Sequence, residues 1–320
     1  MKGWKVLIVM AAAALAAAWT VSGPAEAAPA KKKMTIGTAS IGGVFYPVGS
    51  GIANLINKYV PGVEVRVEVT GGAVENPRLV GSGETDLGIT NTDIGYYAHT
   101  GAKPYPKALP IRAIALMYPS TFHMATREDL KHRTLQDLKG LRVAVGPAGG
   151  SGPIILQRLM PLLGMDYKRD LKPSYISYSD GAQALQDGNV DAVFTLAGAP
   201  TASILELTVR TSVRFLKVEE DILKKFIEKY PYYLRVVIPK DYYKTKEDGV
   251  SIGVGNLLIV NEKMDENLTY RITAALFDHI DEFRNLHAAT KVVDLKLAPQ
   301  TAVPLHPGAA RYYREKGVLK

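Results

Sequence analysis

Gly83-Glu84-Thr85-Asp86-Leu87-Gly88-Ile89-Thr90 and Gly188-Asn189-Val190-Asp191-Ala192-Val193-Phe194-Thr195 follow one pattern. Each leaves a glycine turn, passes an aspartate and enters an apolar run that reads as a buried strand. The segments upstream match as well. Met34–Ala39 and Leu141–Val145 read as short strands, and each runs into a glycine-rich turn, Ser40–Tyr46 and Gly146–Gly152. Pro47 and Pro153 then stand where the first turn of a helix accepts proline. Forty-three residues separate Gly43 from Asp86, and 41 separate Gly150 from Asp191. The expected architecture is therefore two lobes of one α/β design, each a mixed sheet flanked by helices.

Further elements fill the frame. Val63–Val69 alternates like a half-exposed strand, Tyr175–Tyr178 reads as a strand, and Thr92–His99 reads as a helix. Arg112–Met117 and Thr121–Thr126 read as strands around a hinge at Tyr118-Pro119. Tyr233–Ile238 and Asn256–Val260 are further strands, and Asp265–Phe283 reads as one long helix with its apolar face inward. The last segments must return to the first lobe. Lobe I is therefore expected at residues 33–119 plus 245–320 and lobe II at 120–244, with crossings near 118–126 and 235–255.

Composition narrows the function. The 320 residues are 47% hydrophobic and 22% charged, which excludes wholesale disorder. There is no cysteine, which rules out disulfides, thiolate chemistry, Cys-ligated metal and a lipid-modified N-terminal cysteine. Lys2 and Lys5, the apolar run Val6–Ala18 and Ala25-Glu26-Ala27 read as a cleaved signal peptide over residues 1–27, with a second cleavage option after Ala30. The expected product is periplasmic, without a lipid anchor. The formal charge of +8 is scattered, which favours anionic small molecules over nucleic acid.

Open α/β sheets take ligands in the crevice at the carboxyl ends of their strands, where both glycine-rich turns fall. Unsatisfied N–H groups at a helix start, with the helix dipole behind them, suit a carboxylate, sulfonate or phosphate. Gly43–Tyr46 and Gly149–Gly152 are accordingly candidate ligand loops, with Ser151 offering a hydroxyl and Phe45 and Tyr46 offering aromatic cover. No Walker A loop, dinucleotide fingerprint or nucleophile elbow is present. The six histidines make no metal-ligand spacing, so neither metal nor cofactor is expected. Asp86 and Asp191 read as structural, although an exported α/β enzyme using them or Ser151 is the alternative reading. The run Tyr230-Pro231-Tyr232-Tyr233 suits a wet cleft wall and ordinary packing equally.

Five stretches together carry a resemblance. They are Thr38-Ala39-Ser40-Ile41-Gly42-Gly43-Val44-Phe45-Tyr46-Pro47-Val48-Gly49, Gly71-Gly72-Ala73-Val74-Glu75-Asn76, Gly83–Leu87 with Asn91-Thr92-Asp93, Gly149–Gly152, and the ending Pro304–Gly317. The chain resembles the TAXI-type solute-binding proteins of TRAP (tripartite ATP-independent periplasmic) transporters over essentially its whole length after the signal segment. The resemblance implies a two-lobed, type II-like periplasmic binding protein with two crossover segments and no catalysis. It implies a monomer that captures a small organic anion, such as a glutamate-like amino acid or a dicarboxylate, and hands it to TRAP permease subunits. A binding protein for an ATP-driven transporter or a sensor kinase is the alternative. By family position the ligand contacts are Gly43, Val44, Phe45, Tyr46, Asn76, Asn91, Thr92, Asp93, Ser151, Gly152, Ala197, Gly198, Pro200 and Thr201. Asn91 stands where the family pattern commonly has glutamine, which would alter pocket depth. Arg78 and Arg235 are candidates for a carboxylate-binding arginine.

Overall fold

The computed structural model describes residues 31–320, so the signal-peptide reading lies outside the described residues. The chain begins with β1 (Lys32–Gly37), α1 (Phe45–Tyr59), β2 (Val63–Glu68), α2 (Asn76–Ser82), β3 (Leu87–Asn91) and α3 (Thr92–Thr100). The long strand β4 (Ile111–Arg127) then leads to β5 (Arg142–Ala144), α4 (Gly152–Leu159), α5 (Tyr167–Asp170) and β6 (Lys172–Ser174). Next come α6 (Tyr178–Gln186), β7 (Ala192–Ala197), α7 (Ala202–Arg210), β8 (Val213–Phe215), α8 (Glu220–Lys229), β9 (Tyr233–Ile238) and α9 (Lys240–Tyr243). A second long strand, β10 (Gly249–Asn261), precedes α10 (Glu266–Phe277), α11 (Ile280–Arg284) and α12 (Pro307–Glu315).

The strands form one ten-stranded sheet in the order β2-β1-β3-β10-β4-β7-β5-β6, with β8 on β4 and β9 on β10. Its middle is the antiparallel pair β10–β4. On one side lie the parallel strands β3, β1 and β2, and on the other the parallel strands β7, β5 and β6. Each outer set repeats the same order from its edge inward, and each third strand meets a long central strand antiparallel. The repeat in the sequence is thus a repeat in space. The expected fold class, a mixed α/β architecture with two flanked sheets joined by crossover segments, is the one observed, with one qualification. The two sheets are continuous through β4 and β10.

The physical reason for this arrangement is burial on two faces. Every residue of β3 and of β7 is buried, as parallel strands covered by helices on both sides must be. In the first half, Ile36, Val48, Ile52, Leu276 and Tyr313 pack one face of the sheet, and Val80, Ile94, Ile111 and Ile259 pack the other. In the second half, Phe122, Ile155, Leu159 and Phe226 fill one face, and Leu185, Val193, Ile204 and Tyr243 the other. The aspartates of the matched segments do matching work. Asp86 accepts the Thr35 N–H at 2.8 Å and Asp191 accepts the Arg142 N–H at 2.9 Å, each carboxylate fixing the neighbouring strand.

Three local readings are corrected. The sixth strand is Lys172–Ser174 rather than Tyr175–Tyr178, and Tyr178 opens α6, N-capped by Ser177. Pro173 is tolerated there because β6 is an edge strand. The long C-terminal helix breaks at His279, whose ring leaves the helical path to stack on Tyr59 at 3.4 Å between centroids. The strands around Tyr118-Pro119 are one strand, and the register shifts there, between the pairs Gly255–Pro119 and Leu257–Leu116.

Candidate functional site

Three helices start at one place. α1, α3 and α4 have Val44, Asn91 and Ser151 as N-cap residues, and none of the three makes a side-chain cap hydrogen bond. All three N-caps line a single cavity of about 20 Å³ between the two halves of the sheet, together with Gly43, Phe45 and the glycine turns at 71–72 and 150. Their opening N–H groups have no intrahelical acceptors. Pro47 and Pro153 follow directly, and each removes a donor that the helix start would otherwise leave unused. The cavity lining carries no lysine, arginine, aspartate or glutamate. Its electrostatics are set by the helix N-termini, which favour negative charge, and by the nearby Glu75, whose carboxylate accepts the N–H of the lining residue Gly71.

The halves touch around this cavity. The Val74 N–H donates to Gly149 O at 2.9 Å, and the Ser203 N–H and Thr201 Oγ1 donate to Gly42 O at 3.2 and 2.8 Å. Gly42 has φ +97°, a left-handed conformation that suits glycine, and this turns its carbonyl toward α7. Gly71 and Gly149 approach so closely that a Cβ on Gly149 would stand 2.9 Å from Gly71 Cα. The turn at 71–74 therefore meets Gly149 and Gly42 meets α7, while Gly43–Phe45 and Gly150–Ser151 share the wall of one closed cleft.

Behind the cavity runs a neutral polar chain. Ser151 Oγ donates to Asn91 Oδ1, Asn91 Nδ2 donates to Asn256 Oδ1 at 2.7 Å, and Ser120 Oγ donates to the same oxygen at 3.1 Å. It links α4 through β3 to both central strands. The Tyr178 hydroxyl donates to Leu196 O at 3.2 Å, and burial pushes its pKa up to about 12, so it is neutral in ordinary buffers.

Of the residues expected to touch ligand, the structure brings Gly43, Val44, Phe45, Asn91 and Ser151 to the cavity wall. Gly152 is the first residue of α4, next to Ser151, packed against Val145 O and Phe122. The rest lie elsewhere. Tyr46 is 36% exposed on the outer side of α1. Asn76 is fully buried with its amide committed to the chain, Nδ2 donating to Thr38 O and Ile89 O at 2.7 Å and Oδ1 accepting from Thr70 Oγ1 at 2.6 Å. Thr92 Oγ1 is buried without a partner, near Gly255. Asp93 is ion-paired with Arg158 at 2.9 Å, so its charge does not oppose an anion at the start of α3. Ala197 and Gly198 pack in the core beside Tyr118 and Val44, Pro200 follows them, and Thr201 holds Gly42. Arg78 lies over the Tyr105 ring, and Arg235 pairs with Glu220 on the surface. Neither arginine reaches the cavity. Sequence reasoning missed Tyr178, whose ring packs against Gly43 and Gly146. The signal available was the pair of glycines that make room for it.

A larger hollow, about 570 Å³, lies wholly in the second half, among Glu128, Arg133, Arg214 and Lys217. Its charges largely neutralise one another, with Glu128 paired to both Arg214 and Lys246. It lies where β4 and β8 end and β10 begins, away from the parallel strands of the repeat.

Residues 36–317 match the NMT1-like family, and the chain belongs to that family. Among solved structures it is similar to MatC of Rhodopseudomonas palustris with bound malate, at 14% identity and TM-score 0.52, covering 90% of this chain and 99% of that one. It is also similar to a binding protein component of a phosphonate ABC transporter from Pseudomonas aeruginosa, at 10% identity and TM-score 0.50, covering 81% and 79%. These likenesses establish the fold, that of periplasmic solute-binding proteins.

Proposed function

We propose that this NMT1-like chain is an extracytoplasmic receptor that closes over a small organic anion and presents it to a membrane transporter. The observation that carries the reading is the meeting of three uncapped helix N-termini at one uncharged cavity between the halves. Such a site neutralises a carboxylate or related group with main-chain nitrogen and needs no arginine. The expected return to lobe I is at residue 245, but β10 up to Val254 pairs with β9 and packs in the second half. Lobe I is therefore residues 33–119 plus 255–320 and lobe II residues 120–254, hinged where Pro119 pairs with Gly255. Opening at that point would admit the solute, and closure would trap it; the cavity of about 20 Å³ has room for no more than a water as it stands, so its wall must widen around a bound solute.

The sequence resemblance favours the TAXI class and a TRAP permease as partner, with a glutamate-like amino acid or a dicarboxylate as solute. The fold shared with a phosphonate ABC component supports a second reading, in which an ATP-driven transporter receives the solute. Both readings use the same cavity. A thermal-shift screen of carboxylates, amino acids, sulfonates and phosphonates tests the receptor function. A solute at 100 times its Kd stabilises the folded form by about 2.7 kcal/mol, a rise of several degrees or less for a chain of this size. Ser151→Ala should blunt that rise. Stabilisation by neutral sugars alone, with no anion effective, would refute the reading.

A further inference from the structure

Away from the cavity, one cluster of buried charge joins the two halves. Asp93 lies in the first turn of α3, and Arg158 in the last turn of α4. Arg158 Nη1 donates to Asp93 Oδ2 at 2.9 Å and to the Tyr233 hydroxyl at 2.7 Å, and Tyr233 donates to the same carboxylate oxygen at 2.6 Å. The side chains of Asp93 and Arg158 are 1% and 14% exposed. The guanidinium stands over Tyr97 from the first half, at 4.8 Å, and over Tyr230 from the second, at 5.2 Å. Tyr96 meets Tyr232 beside them at 5.2 Å. The tyrosine run is thus the wall of a cage around an arginine, not of a solute pocket. Asp93 Oδ1 has no partner at all, so Arg158 and Tyr233 are what compensates this carboxylate.

Apart from the Tyr96–Tyr97 contact within α3, every ion pair and ring contact in this cluster that reaches Asp93, Tyr96 or Tyr97 crosses from one half to the other. The helices it ties are two of the three whose N-termini form the cavity. We infer that Asp93, Arg158 and Tyr233 are positioning residues that latch α3 to α4 and hold the binding cleft in its closed arrangement. Opening hydrates both charges, whereas in the closed arrangement each is compensated only by its partner; removing one partner leaves the other buried and unpaired as long as the halves stay shut, a cost that opening relieves. The latch sets the closed-to-open ratio, and through it how much of the solute's binding energy goes into closure. This rests on the cleft reading but requires no particular solute.

The chain has no cysteine, so two introduced cysteines can be spin-labelled without background. Asn54 on α1 and Gln183 on α6 are exposed and lie on opposite halves. Pulsed-EPR distances between labels there, in purified solute-free protein, should include a short distance matching the closed arrangement. Arg158→Met and Asp93→Asn should each lower the closed-to-open ratio on the order of a hundredfold, removing that distance. Arg158→Lys should retain part of it. Asp93→Asn keeps an acceptor for Tyr233 and the original shape, so it carries the test if Arg158→Met fails to fold. A purely structural role would lower the melting temperature and leave the distances unchanged. Identical distance distributions in the parent protein and both variants would overturn the latch. The measurement uses no solute, so a failed solute screen leaves it standing, and its failure leaves the screen's result standing.

Discussion

Gly149→Ala tests whether the cleft must shut as tightly as the structure shows. Gly149 does not occupy the left-handed region, so alanine fits its own backbone. The obstacle lies across the cleft. A Cβ on Gly149 stands 2.9 Å from Gly71 Cα, 3.1 Å from its carbonyl carbon and 3.2 Å from its oxygen, all backbone atoms that cannot rotate away. Ordinary carbon–carbon contact needs about 3.5 Å or more, so the loops must part by roughly 0.6 Å. The Val74 N–H to Gly149 O bond is 2.9 Å, and the same parting carries it to the limit of hydrogen bonding. Losing that bond costs about 1 kcal/mol, and the residual overlap about 1–3 kcal/mol. The closed form is thus disfavoured by about 2–4 kcal/mol, which weakens the apparent affinity for solute roughly 30- to 1,000-fold. Isothermal titration with the strongest solute from the screen measures this, beside a solute-free urea melt that should barely move. An affinity within twofold of the parent protein would refute the reasoning.

Two further outcomes follow from buried groups. Asn76→Ala should destabilise the solute-free protein by about 2–4 kcal/mol, because Thr38 O and Ile89 O each lose a donor and a cavity opens in a fully buried site, although Thr70 Oγ1 still donates to Thr38 O. A urea midpoint unchanged by this substitution, with solute binding lost instead, would return Asn76 to the binding site. His123 is fully buried and neutral, next to Thr195 O and accepting from the Tyr243 hydroxyl at 2.9 Å, and burial pushes its pKa down to about 4. The unfolded chain binds a proton there near pH 6.5 while the folded chain does not. The stability is therefore complete above pH 6.5 and is lost as pH falls toward 4, by up to about 3 kcal/mol. Urea melts across that range should be less pH-dependent in His123→Gln, and an identical dependence would remove His123 as the cause.

The repeated unit was legible because its signals are local. Alternation in β2, uninterrupted apolar runs in β3 and β7, and glycine-then-proline at the starts of α1 and α4 are all written within a few residues. Val44 and Ser151 could be singled out because a glycine-rich turn before a helix start is itself a sequence feature, whereas Asn91 is implied only by the family resemblance. Asn76 misled for a physical reason. An amide that recognises solute and an amide that satisfies buried carbonyls are the same residue, and only the three-dimensional surroundings of Asn76 distinguish them. Asp93 and Arg158 are 65 residues apart, and nothing near either one announces the other. The break at His279 goes with its stacking on a tyrosine from α1, far more remote in sequence. Tyr175–Tyr178 has strand-like composition, but packing of the Tyr178 ring against Gly43 and Gly146 decides that segment.

Amide chemical shifts from a ¹⁵N-labelled sample, followed as the best anionic solute is added, address the main-chain site most directly. The largest displacements should fall on the N–H groups of Phe45, Thr92 and Gly152, one at the start of each of the three helices. Displacements confined to the charged hollow around Arg133, Arg214 and Lys217, with those three signals still, would contradict it.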